Sequence, residues 1–153
     1  MKYCKLLLVA IVVLFSMQAG AQTKPAAKFK PPKLYTQLGS YRDSVSVSVA
    51  EAEQLVGGSL KIFDDKRTVY SISSYQLVYR KIGVTENEET GKVTPTYTIV
   101  ASLFKSTPLP QIWIQQLREQ LKPGDELWFF DVVAKDAQGR VMYSSNLKFK
   151  VIQ

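Results

Sequence analysis

An all-β fold, a two-layer β-sandwich of immunoglobulin-like general plan, is the class this sequence predicts, with about seven strands and one short helix near residues 110–121. Three observations predict it. Apolar residues recur at every second position through most of the chain after Ser40, which is the period of a half-buried strand. Turn signals such as Gly57-Gly58, Asp64-Asp65 and "DAQG" punctuate those stretches. One stretch only, "LPQIWIQQLREQL", departs from period two, and it approximates a helical stripe.

The first element of the chain is a processing signal. Lys2 and Lys5 precede an apolar run, Leu6 to Phe15, which is short for a membrane span and breaks at Ser16 and Gln18. Ala19-Gly20-Ala21 supplies small residues for a signal peptidase, so residues 1–21 are expected to be removed before Gln22, leaving no integral membrane segment. The single cysteine, Cys4, precedes the apolar run, which argues against a lipoprotein. Residues 22–39 read as a basic linker. Lys24, Lys28, Lys30 and Lys33 alternate with Pro25, Pro31 and Pro32 in a stiff, extended segment. Residues 40–153 form the expected domain.

Within that domain, "SVSVSV" places Val45, Val47 and Val49 on one face of a strand, and "SLKIF" places Leu60 and Ile62 on one side. In "TVYSISSYQLVYRK" the apolar phase changes. Tyr70 and Ile72 take even numbers, whereas Tyr75, Leu77 and Tyr79 take odd ones. A strand cannot change faces without an extra residue, so a bulge or a crossover between sheets is expected at Ser73-Ser74. "IGVTENEETGKVTP" reads as a long, mobile hairpin loop. "TYTIVASLF" sets Tyr97, Ile99, Ala101 and Leu103 on one face.

Pro110 suits a first helical turn, with Leu109, Ile112, Leu117 and Leu121 as the apolar stripe. Lys122 complements the helix C-terminus, Pro123 stops the helix, Gly124 supplies a positive φ, and the Asp125 carboxylate bonds the turn backbone. "ELWFFDVVA" follows, with Leu127, Phe129, Asp131 and Val133 on one face and Trp128, Phe130 and Val132 on the other, so a strand covered on both sides is expected. On that reading Asp131 is buried and needs a partner. The last strand alternates Val141, Tyr143, Leu147, Phe149 and Val151 inward with Arg140, Met142, Asn146, Lys148 and Lys150 outward. Arg140, Lys148 and Lys150 thus form a basic stripe, the candidate interaction residues. At a sheet edge such lysines also discourage aggregation.

Composition narrows the function. The chain has no histidine and its one cysteine lies in the signal, so the usual neutral-pH base, the thiol nucleophile and the common zinc ligands are missing from the exported part. No catalytic, cofactor-binding or metal site is expected, and an enzyme is disfavoured. Ser73-Ser74 and Ser144-Ser145 lack a nucleophile motif. Asp64-Asp65, Glu88-Glu89 and Asp131 with Asp136 form no recognised calcium loop. Without Lys2 and Lys5, 18 basic residues face 13 acidic ones, a net charge of +5. Export and the lack of a binding motif speak against nucleic acid.

The string "LREQLKPGDELWFFDVVAKDAQGRVMYSSNLKFKVI" resembles the C-terminal domain of the gliding-motility protein GldM. It shares a helix ending in leucine, Lys-x-Gly-Asp, a hydrophobic strand with an aspartate, an Ala-x-Asp-x-x-Gly turn and an alternating final strand. "GGSLKIFDDKRTVYSISSYQLVYR" resembles the glycine-led hairpin upstream, with Tyr75 where that pattern often has phenylalanine. The resemblance covers roughly residues 44–152 and implies a non-catalytic, all-β periplasmic contact module, a relative of a core part of gliding motility and type IX secretion. The membrane helix and motor coupling of that family have no counterpart in these residues. The expected protein is therefore a periplasmic, or else secreted or cell-surface, interaction module that takes an envelope protein partner and can pair as a homodimer. A glycan or small-ligand binding protein, using Trp113, Trp128 and the tyrosines, is the alternative.

Overall fold

The computed structural model describes residues 29–153, so the expected signal segment, the expected cleavage site and the first part of the expected linker lie outside the described residues. Pro31–Gln153 make one compact unit. It is mostly β: a single curled sheet of eight strands with two helices, against about seven strands and one helix expected. The strands are β1 (Leu34–Leu38), β2 (Val45–Ser48), β3 (Leu60–Asp64), β4 (Val69–Glu86), β5 (Val93–Phe104), β6 (Glu126–Lys135), β7 (Val141–Tyr143) and β8 (Leu147–Ile152). The helices are α1 (Val49–Leu55) and α2 (Gln111–Gln120). The order across the sheet is β1-β3-β4-β6-β8-β2, with β5 on β4 and β7 on β6. All pairs are antiparallel except β2 with β8.

The long strand β4 organises the sheet. Val69 and Tyr70 pair with β3, Ser71 to Arg80 pair with β6, and Tyr75 to Glu86 pair with β5. The phase change at Ser73-Ser74 is a bulge, as expected. A second irregularity answers it on the partner strand. Ile72 faces Ala134, Ser74 faces Val133 and Gln76 faces Phe130, so β4 gains one residue and β6 gains one just after. The residue taken up in β6 is Asp131, whose φ is 47°. Both strands therefore change faces together, and the core stays continuous. Tyr75, Leu77 and Tyr79 are buried on β4, and Leu127, Phe129, Val132 and Ala134 on β6.

This double bulge corrects the expectation for β6. Asp131 is exposed, and its carboxylate accepts a 3.1 Å bond from Gln76 Nε2. Val132, not Val133, points inward, and the second face of the strand is not fully covered, because Trp128 is open to solvent. The final stretch is also two strands, not one. Ser144–Asn146 interrupt it, so Met142 is buried while Val141 and Tyr143 are exposed; β8 keeps the expected Leu147, Phe149 and Val151 inward.

Three further expectations change. Leu34–Leu38, read as linker, is strand β1, with Leu34 and Leu38 in the core and Leu34–Leu38 paired to Leu60–Asp64. "SVSVSV" yields only a short strand, because Ser48 caps α1 by accepting from the Glu51 amide at 3.3 Å. The acidic loop is not a loop for most of its length: β4 and β5 run on as a paired ribbon to Glu86 and Val93.

Helix α2 closes the core face. Ile114 and Leu117 are buried, flanked by Leu109 and Leu121, while Ile112 is exposed and so is not part of the stripe. Trp113 packs edge-on against Phe104 at 5.3 Å, and Phe104 stacks on Tyr75 at 5.6 Å. The helix stop behaves as its residues dictate. Gly124 has φ 98°, and a β-carbon there would meet Ile82 at 2.9 Å. Asp125, fully buried, accepts from the Lys122 amide at 3.2 Å, and also from the Ile82 amide at 2.8 Å and the Tyr79 hydroxyl at 2.7 Å. Burial, reinforced by Asp125, pushes the Tyr79 phenol well above its ordinary range.

Candidate interaction surface

Cross-strand partners point to the same face of a sheet, so the register alone defines the side away from the core. Across β5, β4, β6 and β8 the outward rows are Leu103, Gln76 and Phe130; then Ala101, Val78, Trp128 and Lys148; then Ile99, Arg80, Glu126 and Lys150; and last Tyr97 with Ile82. This face is apolar at one side and charged at the centre. Ile99 is 64% exposed, Leu103 57%, Tyr97 50% and Trp128 38%.

The charged centre is ordered. Glu126 accepts from Arg80 at 2.8 Å and pairs with the Lys148 ammonium at 3.0 Å. Each cation lies on an aromatic ring: the Arg80 guanidinium 3.7 Å from the Tyr97 ring centre, and the Lys148 ammonium 4.5 Å from that of Trp128. Tyr97, Arg80, Glu126, Lys148 and Trp128 therefore form one connected cluster across three neighbouring rows, three charges with an aromatic ring at each end. Partial burial raises the Glu126 pKa, but the hydrogen bonds and charges of Arg80 and Lys148 outweigh it and hold the carboxyl below its usual range. Single exposed contacts of these kinds contribute little, about 0.5–1 kcal/mol for a cation on a ring and ~0–1 kcal/mol for a surface ion pair. Their combined effect is to fix side chains that would otherwise be mobile.

The edge of this face is also unpaired. Among the described residues β5 pairs with β4 alone, which leaves one row of its backbone donors and acceptors facing outward. Pro95 removes one donor near the start; from Thr96 to Phe104 the edge has no proline.

Of the expected basic stripe, Lys148 and Lys150 share the outward face of β8. Arg140 is not on that strand. It lies in the turn before β7 and bonds Asp136 at 2.5 Å. Nor is β8 an edge, since it lies between β6 and β2. Edge protection therefore does not explain its lysines, and Lys148 is engaged with Glu126. The serines considered as nucleophiles hold the fold together. Ser144 Oγ accepts from Thr36 Oγ1 at 2.9 Å, Ser145 Oγ accepts from the Thr36 amide at 3.1 Å, and Ser73 is the bulge. Asp64 is occupied by the Lys66 and Thr68 amides and the Tyr70 hydroxyl. Among the described residues no group of three or more acidic, histidine or cysteine side chains is placed to hold a metal. No helix among them is long and apolar enough to cross a membrane, which says nothing of β-barrels.

The apolar outward row was legible as a set, because Tyr97, Ile99, Ala101 and Leu103 alternate; that they face solvent was not. No family model matches the chain, and no curated protein matches it.

Proposed function

We propose that this chain is a non-catalytic, exported interaction module of the bacterial cell envelope, which binds a protein partner through the outer face of β5, β4, β6 and β8. The observation that carries the reading is the exposed set Tyr97, Ile99 and Leu103 on a strand whose outer edge is unpaired among the described residues, beside the fixed Tyr97–Arg80–Glu126–Lys148–Trp128 cluster. Exposed aromatic and aliphatic side chains gathered at one side of a face, bordered by charges held in fixed positions, mark a contact surface. The free edge adds main-chain donors and acceptors to which an extended partner segment can pair.

Export to the periplasm is supported by the basic, apolar and small-residue pattern of residues 1–21. The lack of histidine in the chain and of cysteine after residue 4 supports a non-catalytic role. The resemblance to the GldM C-terminal domain supports a place beside the gliding and type IX secretion machinery. It also supports the finer architecture, a two-layer sandwich of immunoglobulin-like plan, as does the curl of the sheet that brings β1 to Ser144 and Ser145.

Site-specific photocrosslinking in native envelopes tests the surface. A photoreactive residue at Ile99 or Leu103 is expected to capture the same protein, one not captured from Gln138 in the opposite turn. With the photoreactive residue at Leu103, Ile99→Lys is expected to abolish capture while leaving the melting temperature close to wild type, as exposed substitutions usually do. Equal capture from Gln138, or no reproducible product from either β5 position, would refute the reading.

A further inference from the structure

A second surface lies at the other end of the molecule. The outward side of β1 and β3, the first residue of β4 and the segment after Gly39 enclose an open cleft of about 530 Å³. Arg42, Lys61 and Arg67 line it, with Phe63, Val69 and Gln37. Three cations and no carboxylate face this space. The Arg42 guanidinium lies 5.2 Å from the centre of the Tyr35 ring, which also carries Lys33 at 5.1 Å. Lys61 and Arg67 have no ion-pair partner among the described residues. The nearby turn acid, Asp64, is directed to its own backbone, so it does not neutralise them. Asp43 and Asp65 follow Arg42 and Asp64 in the chain, outside the lining. The volume is that of an ordinary binding cleft, and two guanidinium forks with an ammonium suit carboxylates.

The chain carries a complementary group. The β4–β5 ribbon ends in a turn, Asn87–Lys92, that presents Glu86, Glu88 and Glu89, all exposed and without an ion-pair partner among the described residues; Lys92 is the one cation there. The turn is pre-ordered. Asn87 Oδ1 accepts from the Glu89 and Thr90 amides and the Thr90 hydroxyl at 3.1, 2.9 and 2.9 Å, and the Gly91 amide donates to the Asn87 carbonyl at 2.8 Å. Exposed Val84 and Val93 flank it, as exposed Val69 floors the cleft.

Cleft and tip belong to opposite ends of one strand. Val69 begins β4 and Glu86 ends it, 18 residues in all. At roughly 3.3 Å per residue that separation is on the order of 50 Å along the strand. A molecule cannot seat its own tip in its own cleft.

We propose that the acidic β4–β5 tip of one copy docks in the basic β1–β3 cleft of a second copy. The contact is head-to-tail. It joins two different surfaces, so it leaves a free tip and a free cleft at the ends, and repeats into rings or open chains, unlike a two-fold dimer. It is small and charge-driven, so it is weak, concentration-dependent and salt-sensitive. It is independent of the outer sheet face.

A charge swap in the exported chain tests it. In sedimentation equilibrium at about 1 mM chain and about 0.01 M salt, the weight-average mass of the wild type is expected to be at least twice the monomer mass, returning to monomer at about 1 M salt, where the Debye length is near 3 Å. The cleft variant Lys61→Glu with Arg67→Glu, and the tip variant Glu88→Lys with Glu89→Lys, should each remain monomeric. An equimolar mixture of the two should assemble again, because an acidic cleft then meets a basic tip and the unaltered ends match as before. Ile99→Lys with Leu103→Lys should assemble like wild type. Circular dichroism and melting curves establish that each variant is folded. A wild type that stays monomeric at low salt, folded variants that still self-associate alone, or a mixture that stays apart would overturn the proposal.

Discussion

The Tyr79 hydroxyl donates to the Asp125 carboxylate at 2.7 Å, deep in the core and across two elements that are far apart in sequence. Asp125 sits in the turn between α2 and β6; Tyr79 lies in the middle of β4. The same carboxylate takes the Ile82 and Lys122 amides. A residue whose local task is to close a turn thus also locks that turn to the central strand.

Asp125→Ala would remove the acceptor of the Ile82 and Lys122 amides and of the Tyr79 hydroxyl, which keeps a second acceptor in the Gln120 carbonyl at 3.0 Å. An unsatisfied buried group costs about 1–3 kcal/mol, and the two amides are only partly buried, so a loss of about 2 kcal/mol is expected. Asp125→Asn, which keeps one acceptor oxygen, should lose less. Urea denaturation measures both, and an Asp125→Ala midpoint equal to wild type would contradict the locking role.

Glu126 gives the molecule a dependence on acid. Its carboxyl titrates below the ordinary range in the folded chain, since Arg80 and Lys148 more than offset its burial. The unfolded chain therefore binds the proton first as pH falls. The stabilisation is present above the unfolded value, about 4.3, and is lost as pH drops through the lower folded value. Both cations are partly exposed, so Glu126→Gln should cost no more than about 1 kcal/mol near neutrality. Denaturation midpoints at neutral pH and near pH 3 should differ less for Glu126→Gln than for wild type; an unchanged difference would refute the assignment.

At Asp131 the backbone, not the side chain, sets the cost of substitution. With φ at 47° and an exposed carboxylate, the position tolerates asparagine and disfavours branched residues. Asp131→Asn should stay within about 0.5 kcal/mol of wild type, whereas Asp131→Val should lose about 1–2 kcal/mol. Thermal melts of the two variants decide it: equal losses would mean the bulge is held by the carboxylate and not by its conformation.

Local chemistry was legible wherever it is written in neighbouring residues. Tyr70 and Ile72 against Tyr75, Leu77 and Tyr79 announced the bulge at Ser73. Pro110 and Lys122-Pro123-Gly124-Asp125 announced where α2 starts and stops. Ser48 followed by Glu51 is the signal that would have found α1, an N-cap three residues before a glutamate, but the run of alternating valines masks it. For the candidate surface, alternation showed that Tyr97, Ile99, Ala101 and Leu103 share a face.

Strand-forming stretches, the helix stop and the sets of side chains that travel together follow from neighbours in the chain, because period, φ and capping depend on residues only a few positions apart. Which set meets water depends on the pairing of distant strands. Tyr97, Ile99 and Leu103 are outward because their partners Ile82, Arg80 and Gln76 lie on the face of β4 opposite the buried Tyr75, Leu77 and Tyr79. Asp131 is outward because β6 must shift phase to match the bulge at Ser73 on β4, a residue distant in sequence. Arg140 leaves the stripe of Lys148 and Lys150 because Ser144 and Ser145 are held by Thr36, which breaks the final strand in two. Each outcome depends on which partner a strand finds across the sheet, and a pairing between distant residues leaves no period in the chain from which to read it.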